Sequence, residues 1–137
     1  MARIVVIGGG FAGCQAALTA KKGGGEVTLL ERTDSLTGCA QFAGVYRGNG
    51  EFTAVEEIIA MGGGDIFKIC DSINKHKIDL PGEPPERHVS VYDLMRIEEE
   101  VEKALDKAGV EVMLQARAVD VRMSNANIKS VVLSDGK

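Results

Sequence analysis

Gly8-Gly9-Gly10-Phe11-Ala12-Gly13 is a G-x-G-x-x-G run, and Glu31 follows with seventeen residues between it and Gly13. These residue types at this spacing suit the binding of a dinucleotide. The first glycine permits a tight turn out of a strand. The second leaves the backbone bare where a pyrophosphate approaches, and the third lets a helix pack against the sheet. A helix starting there offers unpaired N–H groups and a partial positive charge to phosphate oxygens. An acid at the end of the following strand accepts hydrogen bonds from a ribose diol and repels a 2′-phosphate. Strand, spacing, helix and acid agree, which makes a chance glycine turn the weaker reading.

Other reactive side chains carry less. Cys39 lies in the loop after Glu31 and is a redox candidate, since a thiolate there could take electrons; a packed or idle thiol is the simpler reading. Cys14 belongs to helix–sheet packing and Cys70 has no partner pattern. His76 and His88 sit twelve apart with no second ligand pair nearby, so no metal site is expected. Arg47 can steady a phosphate or stand as a surface arginine. Glu98 to Glu100 read as the wet face of a helix.

The elements that must position these residues follow from pattern. Arg3–Ile7 is a short β-branched run suited to a buried parallel strand. Phe11 to Lys22 has helical spacing and stops at Gly23. Glu26 to Leu30 is a second strand, which completes a parallel βαβ unit. Arg32 to Gly50 reads as loop. Thr53 and Glu56 resemble a capping box for a short helix reaching about Met61. Asp65 to Lys77 is ambiguous between helix and strand. Asp79 to His88 holds all three prolines and reads as an extended connection. Ser90 and Asp93 look like a cap, and Leu94, Ile97, Val101, Ala104, Leu105 and Ala108 mark the clearest amphipathic helix. Val110 to Leu114 is a third strand. Ala116 to Met123 and Ile128 to Leu133, with a turn at Asn125 to Asn127, form a hairpin.

Composition bounds the class. The chain has 137 residues, 45% of them hydrophobic and 26% charged, which suits one globular domain. Glycine is enriched, at 17 residues. The net charge of -4 argues against a nucleic-acid or anionic-membrane surface on this portion. No apolar run approaches a membrane span, and the N-terminus does not read as a signal peptide. Three cysteines without paired spacing fit a reducing cytoplasm.

The sequence resembles the two-dinucleotide flavoprotein superfamily. The resemblance rests on VVIGGGFAGCQAALTA with EVTLLER, on a long interruption before the next helix, and on AGVEVMLQARAVDVRMSNANIKSVVLSDGK. Within the superfamily it is most similar to GidA-like and fumarate-reductase-like FAD-dependent oxidoreductases, through LTGCAQFAGVYRGNGEFTAVEEIIAMGGGD and VYDLMRIEEEVEKALDKAGVEVML. The resemblance implies an α/β fold: a three-layer, Rossmann-like FAD-binding domain over residues 1–137, with a parallel sheet and a β-meander. It implies FAD as cofactor, held by Gly8, Gly9, Gly10, Phe11, Ala12, Gly13, Glu31, Arg32, Gly38 and the backbone of Val119 at the adenine. The isoalloxazine would point toward the Arg32–Gly50 loop. Proteins of this kind continue past VVLSDGK into a strand ending Ala-Thr-Gly, whereas this sequence stops at Lys137. The expectation is therefore an N-terminal fragment, incomplete at its C-terminal side. NAD(P)H would act as electron donor in further domains, with a small-molecule substrate or electron donor as partner. An uncovered sheet edge would invite self-association or a partner chain. The alternatives are a stand-alone NAD-binding regulatory module or a noncatalytic flavoprotein subunit. No catalytic acid or base is assignable.

Overall fold

The computed structural model describes residues 1–48, 54–77 and 90–135. Three parallel strands carry the centre: β1 (Arg3–Ile7), β2 (Glu26–Leu30) and, later in the chain, β5 (Glu111–Met113), in the order β1-β2-β5. Helix α1 (Phe11–Lys22) links β1 to β2, and α5 (Leu94–Ala108) leads into β5. Register aligns Val6 with Leu29 and Leu29 with Val112. Alternation along the strands then puts Ile4, Val6, Val27, Leu29 and Val112 on one face. That face packs on Cys14, Ala17 and Leu18 of α1 and on Ile97, Val101 and Leu105 of α5.

The helices form where the sequence satisfies their ends. Asp93 caps α5 by accepting a hydrogen bond from the Met95 N–H at 3.0 Å. Gly109 closes the same helix in the left-handed region, φ 74°. The three buried α5 side chains, each contributing roughly 1.5–3 kcal/mol of apolar burial, hold this helix against the sheet.

Between β2 and α5 the chain makes four elements that position the site. These comprise three helices, α2 (Gly38–Ala43), α3 (Val55–Ala60) and α4 (Asp65–Ser72), and, counted as one unit, the antiparallel pair β3 (Asn74–Lys77) with β4 (Ser90–Tyr92). The stretch expected to be loop from Arg32 to Gly50 therefore contains a helix. The ambiguous Asp65–Lys77 segment divides into helix and then strand. Ser90 belongs to β4, so only Asp93 of the expected pair caps α5. The Thr53 half of the expected capping box and the Asp79–His88 connection lie outside the described residues.

The C-terminal hairpin joins β6 (Ala118–Ser124) and β7 (Asn127–Leu133) across a turn at Asn125 and Ala126, both with positive φ. It supplies two strands of the expected meander. The opposite sheet face bears Val5, Ile7 and Met113, at 43%, 61% and 38% exposure. Among the described residues β1 has no strand on its outer side.

The α5 contact with the sheet gives a direct test. Leu105→Ala should lower stability by ~2–5 kcal/mol through lost burial and a residual cavity, measured as a urea midpoint shift. Met95→Ala, at a side chain 88% exposed, should change it by less than ~0.5 kcal/mol.

Candidate functional site

The site begins where β1 ends. Gly8 leaves the strand with φ 103°, a conformation closed to ordinary L side chains, and its N–H donates to the Leu30 carbonyl at 2.8 Å. Gly13, in the first turn of α1, faces back onto Gly8: a Cβ there would collide with the Gly8 carbonyl oxygen. A Cβ on Gly10, by contrast, would meet nothing within 4 Å. Gly10 is also the N-cap of α1, with extended backbone, and no side chain caps the helix. A bare backbone turn therefore sits beneath open space at a helix N-terminus, the arrangement that receives phosphate.

Glu31 stands at the end of β2 beside this turn. One carboxylate oxygen accepts from the Gly9 N–H at 2.7 Å; the other accepts from the Thr33 N–H at 2.8 Å and the Thr33 hydroxyl at 2.9 Å. Partial burial pushes the Glu31 carboxyl up, but the Thr33 and Gly9 amides and the Thr33 hydroxyl outweigh it, and it titrates below the usual range. Glu31 is thus an ionised acceptor at the rim of the glycine turn.

Behind the turn, the Gly9 carbonyl accepts from the Thr37 N–H at 2.8 Å and from the Cys14 thiol at 3.2 Å. Burial pushes the Cys14 thiol up to about 12, which keeps it protonated and makes it a packing group rather than a nucleophile. The loop from Glu31 to Thr37 is anchored from α5. Glu98 accepts from the Ser35 hydroxyl at 2.6 Å and the Leu36 N–H at 2.7 Å. Glu98 was expected on a wet helix face; instead it ties α5 to the loop that closes the site. Spacing alone did not reveal this, because its partners lie more than sixty residues away.

The predicted residues are brought together unequally. Gly8, Gly9, Gly10, Gly13 and Glu31 form one hydrogen-bonded unit, with Phe11 and Ala12 opening α1 above it. Phe11 packs edge-on against Tyr92, centroids 6.0 Å apart. Arg32 is exposed beside Glu31, and Gly38 begins α2 one residue after Thr37. Cys39 is exposed on α2, and its carbonyl accepts from the Val45 N–H at 3.1 Å. Val119 lies on β6, 56% exposed, where the register slips between Ala118 and Asp120. Its link to the site runs through the Ala116 N–H on the Glu31 carbonyl, 2.8 Å. Arg47 bridges to Val91 away from the glycine turn.

A parallel βαβ unit with a glycine turn at a helix N-terminus and an acid closing the second strand defines a Rossmann-like dinucleotide-binding domain. The sequence profile of the FAD-dependent oxidoreductases matches residues 3–137, and the chain belongs to that family. FAD is the family's cofactor. The tRNA uridine 5-carboxymethylaminomethyl modification enzyme MnmG of Alkaliphilus metalliredigens is 28% identical over 97% of this chain and 21% of its own length. Aquifex aeolicus GidA superposes with a TM-score of 0.70 at 22% identity, over 98% of this chain and 23% of that one. A ferredoxin reductase from Rhodopseudomonas palustris superposes with a TM-score of 0.55 at 19% identity, over 99% of this chain and 21% of that one. The chain thus spans about a fifth of the length of these proteins.

Two outcomes are expected. Gly13→Ala should destabilise the fold by ~1–3 kcal/mol or more, because the new methyl must displace the Gly8 backbone; thermal unfolding measures it. The Glu31 pKa is lower folded than unfolded, so its ionised form stabilises the fold above the unfolded value of ~4.3. That stabilisation is lost as pH falls through the folded value. Glu31→Gln should flatten the fall in stability between about pH 5 and pH 3, read from urea midpoints across that range.

Proposed function

We propose that this chain holds the ADP half of FAD for a flavin-dependent oxidoreductase, as the N-terminal portion of a longer flavoprotein. The observation that carries the reading is the open space over Gly10 at an uncapped helix N-terminus, with ionised Glu31 beside it. Gly8 to Gly13, with Phe11 and Ala12, would take the pyrophosphate, and the Glu31 carboxylate the adenosine ribose. Arg32 and Gly38 flank that path, and the Val119 backbone would meet the adenine at the slipped register of β6. Bound flavin supplies hydride or electron transfer, and the chain's own residues supply position and electrostatics. Cys39, exposed on α2, is the one side chain proposed for redox exchange.

NAD(P)H as electron donor and a small-molecule substrate or acceptor would meet the flavin in further domains of the longer protein. The outer side of β1, unpaired among the described residues and with Val5 and Ile7 exposed beside it, is proposed as the edge where a second copy or a partner chain adds a strand. No helix among the described residues is long and apolar enough to cross a membrane. Three free cysteines support a reducing, cytoplasmic setting. The tRNA-modifying role in the name of the Alkaliphilus relative is not carried over, since the net charge of -4 lends it no support on this portion. A stand-alone NAD-binding module and a noncatalytic subunit are less favoured, because the family match extends through the hairpin to residue 137.

The test is to add excess FAD to the purified chain, remove free ligand and record the visible spectrum. Retained flavin absorbance is expected, and Glu31→Arg should weaken binding by about tenfold or more, equivalent to ~1.4 kcal/mol. A chain that takes up NAD but no FAD would overturn the reading.

A further inference from the structure

Thr37 is the one residue near the glycine turn whose conformation no sequence pattern explains. Its backbone is left-handed, φ 55° and ψ 33°, which is rare and strained for a β-branched side chain. It is completely buried, and its hydroxyl is the only buried side-chain oxygen or nitrogen without a partner among the described residues. Both features destabilise the fold: the left-handed backbone for steric reasons, the hydroxyl because it gives up water without replacement. A strained and unsatisfied residue that persists calls for a compensating role.

The strained backbone has a definite consequence. It aims the Thr37 N–H at the Gly9 carbonyl, 2.8 Å away. The Cys14 thiol reaches the same oxygen at 3.2 Å, and both Thr37 and Cys14 are fully buried. The Gly9 carbonyl is therefore fixed toward the interior. The Gly9–Gly10 peptide is planar and trans, so its N–H, on Gly10, points the opposite way, out of the core. Outward of Gly10 is the open space at the start of α1. A freely rotating glycine peptide could present its carbonyl there instead, and a carbonyl oxygen would repel an anion.

We propose that Thr37 is a positioning residue for diphosphate binding. By locking the Gly9 carbonyl inward it commits the Gly10 N–H to the ligand side of the turn. The strain at Thr37 is then the counterpart of a preorganised anion site. Thr37 touches no ligand itself, and it acts through the Gly9–Gly10 peptide. This inference rests on the preceding reading that Gly8 to Gly13 receives the FAD diphosphate.

The test compares ADP with adenosine, which lacks the diphosphate, by calorimetric titration of the full chain. Thr37→Gly keeps the N–H and adopts positive φ without strain, so it should bind ADP at least as tightly as the parent and unfold at a higher temperature. Thr37→Pro removes the N–H and forbids φ 55°, so it should lose ADP affinity tenfold or more while adenosine affinity changes less than threefold. For Thr37→Pro, equal losses for both ligands or an unchanged ADP affinity would overturn the proposal, as would a tenfold loss of ADP affinity in Thr37→Gly. If Thr37→Pro fails to fold, the parent chain decides: ADP should shift the Gly10 amide resonance more than that of Gly9, whose N–H is already held by Glu31. A Gly10 amide indifferent to bound ADP overturns the proposal. A parent chain that binds no ADP would sink the FAD reading as well, which separates the two failures.

Discussion

The backbone of Gly9 is the constraint on which the site depends. Its N–H is taken by Glu31 and its carbonyl by Thr37 and Cys14. One residue thereby ties the end of β2, the loop after it and the first turn of α1 to the turn leaving β1. Gly9 also has no room for a side chain, since a Cβ would collide with Leu36 and touch Glu31 at 3.0 Å. Gly9 is thus a packing glycine facing inward, and Gly10 faces open space. The two roles differ although the residues are adjacent, because successive peptide planes present opposite sides.

The clamp is supported from a distance. Glu98 on α5 holds Ser35 and Leu36, and Leu36 is fully buried under the glycine turn. Helix α5 is in turn held by Ile97, Val101 and Leu105 against the helix-facing side of the sheet. A charged residue on the rim of the amphipathic helix therefore carries the position of the core helix to the loop. Hydrogen bonds to an ionised acceptor contribute roughly 1.5–3 kcal/mol each, enough to favour one loop conformation over its competitors. A second tie runs from α1 to α4: Lys22 and Gln15 both bond Asp65, Lys22 at 2.6 Å and Gln15 at 2.9 Å. Burial raises the Asp65 carboxyl, the Lys22 and Gln15 bonds lower it further, and the net direction is down.

The parts legible in sequence are those set by local rules. Arg3–Ile7, Phe11–Lys22 and Glu26–Leu30 are the observed β1, α1 and β2, residue for residue, since β-branched runs, helical spacing and glycine stops act within a few residues. Gly8, Gly13 and Glu31 were legible because each glycine task and the acid's place follow from backbone sterics and hydrogen-bond capacity. What was not legible depends on long-range contacts. Helix α2 has only six residues and a strained N-cap at Thr37, so propensity gives no sign of it, and tertiary packing of Ala40 decides it. Strand β4 is three residues long and exists through pairing with β3. Glu98 looked like every other acid on α5 until the loop it binds was placed beside it.

Away from the glycine turn, the other face of the sheet keeps apolar side chains exposed among the described residues. The row Ile7, Leu30, Met113 runs across three strands, and its two outer members are exposed. Hairpin β6–β7 carries further uncovered apolar side chains at Val119, Val121, Met123 and Ile128. A two-stranded ribbon is marginal alone in water, and a parallel sheet is ordinarily covered on both faces. Apolar surface of this kind gains free energy when covered, at roughly 25 cal/mol per Å². The bonds that hold Gly9, by contrast, come from Glu31, Thr37 and Cys14, and Glu98 holds the loop between Glu31 and Thr37. Assembly of the glycine turn therefore draws on the βαβ unit, its loop and Glu98, while the exposed side chains of Ile7, Val119, Val121, Met123 and Ile128 make none of those contacts.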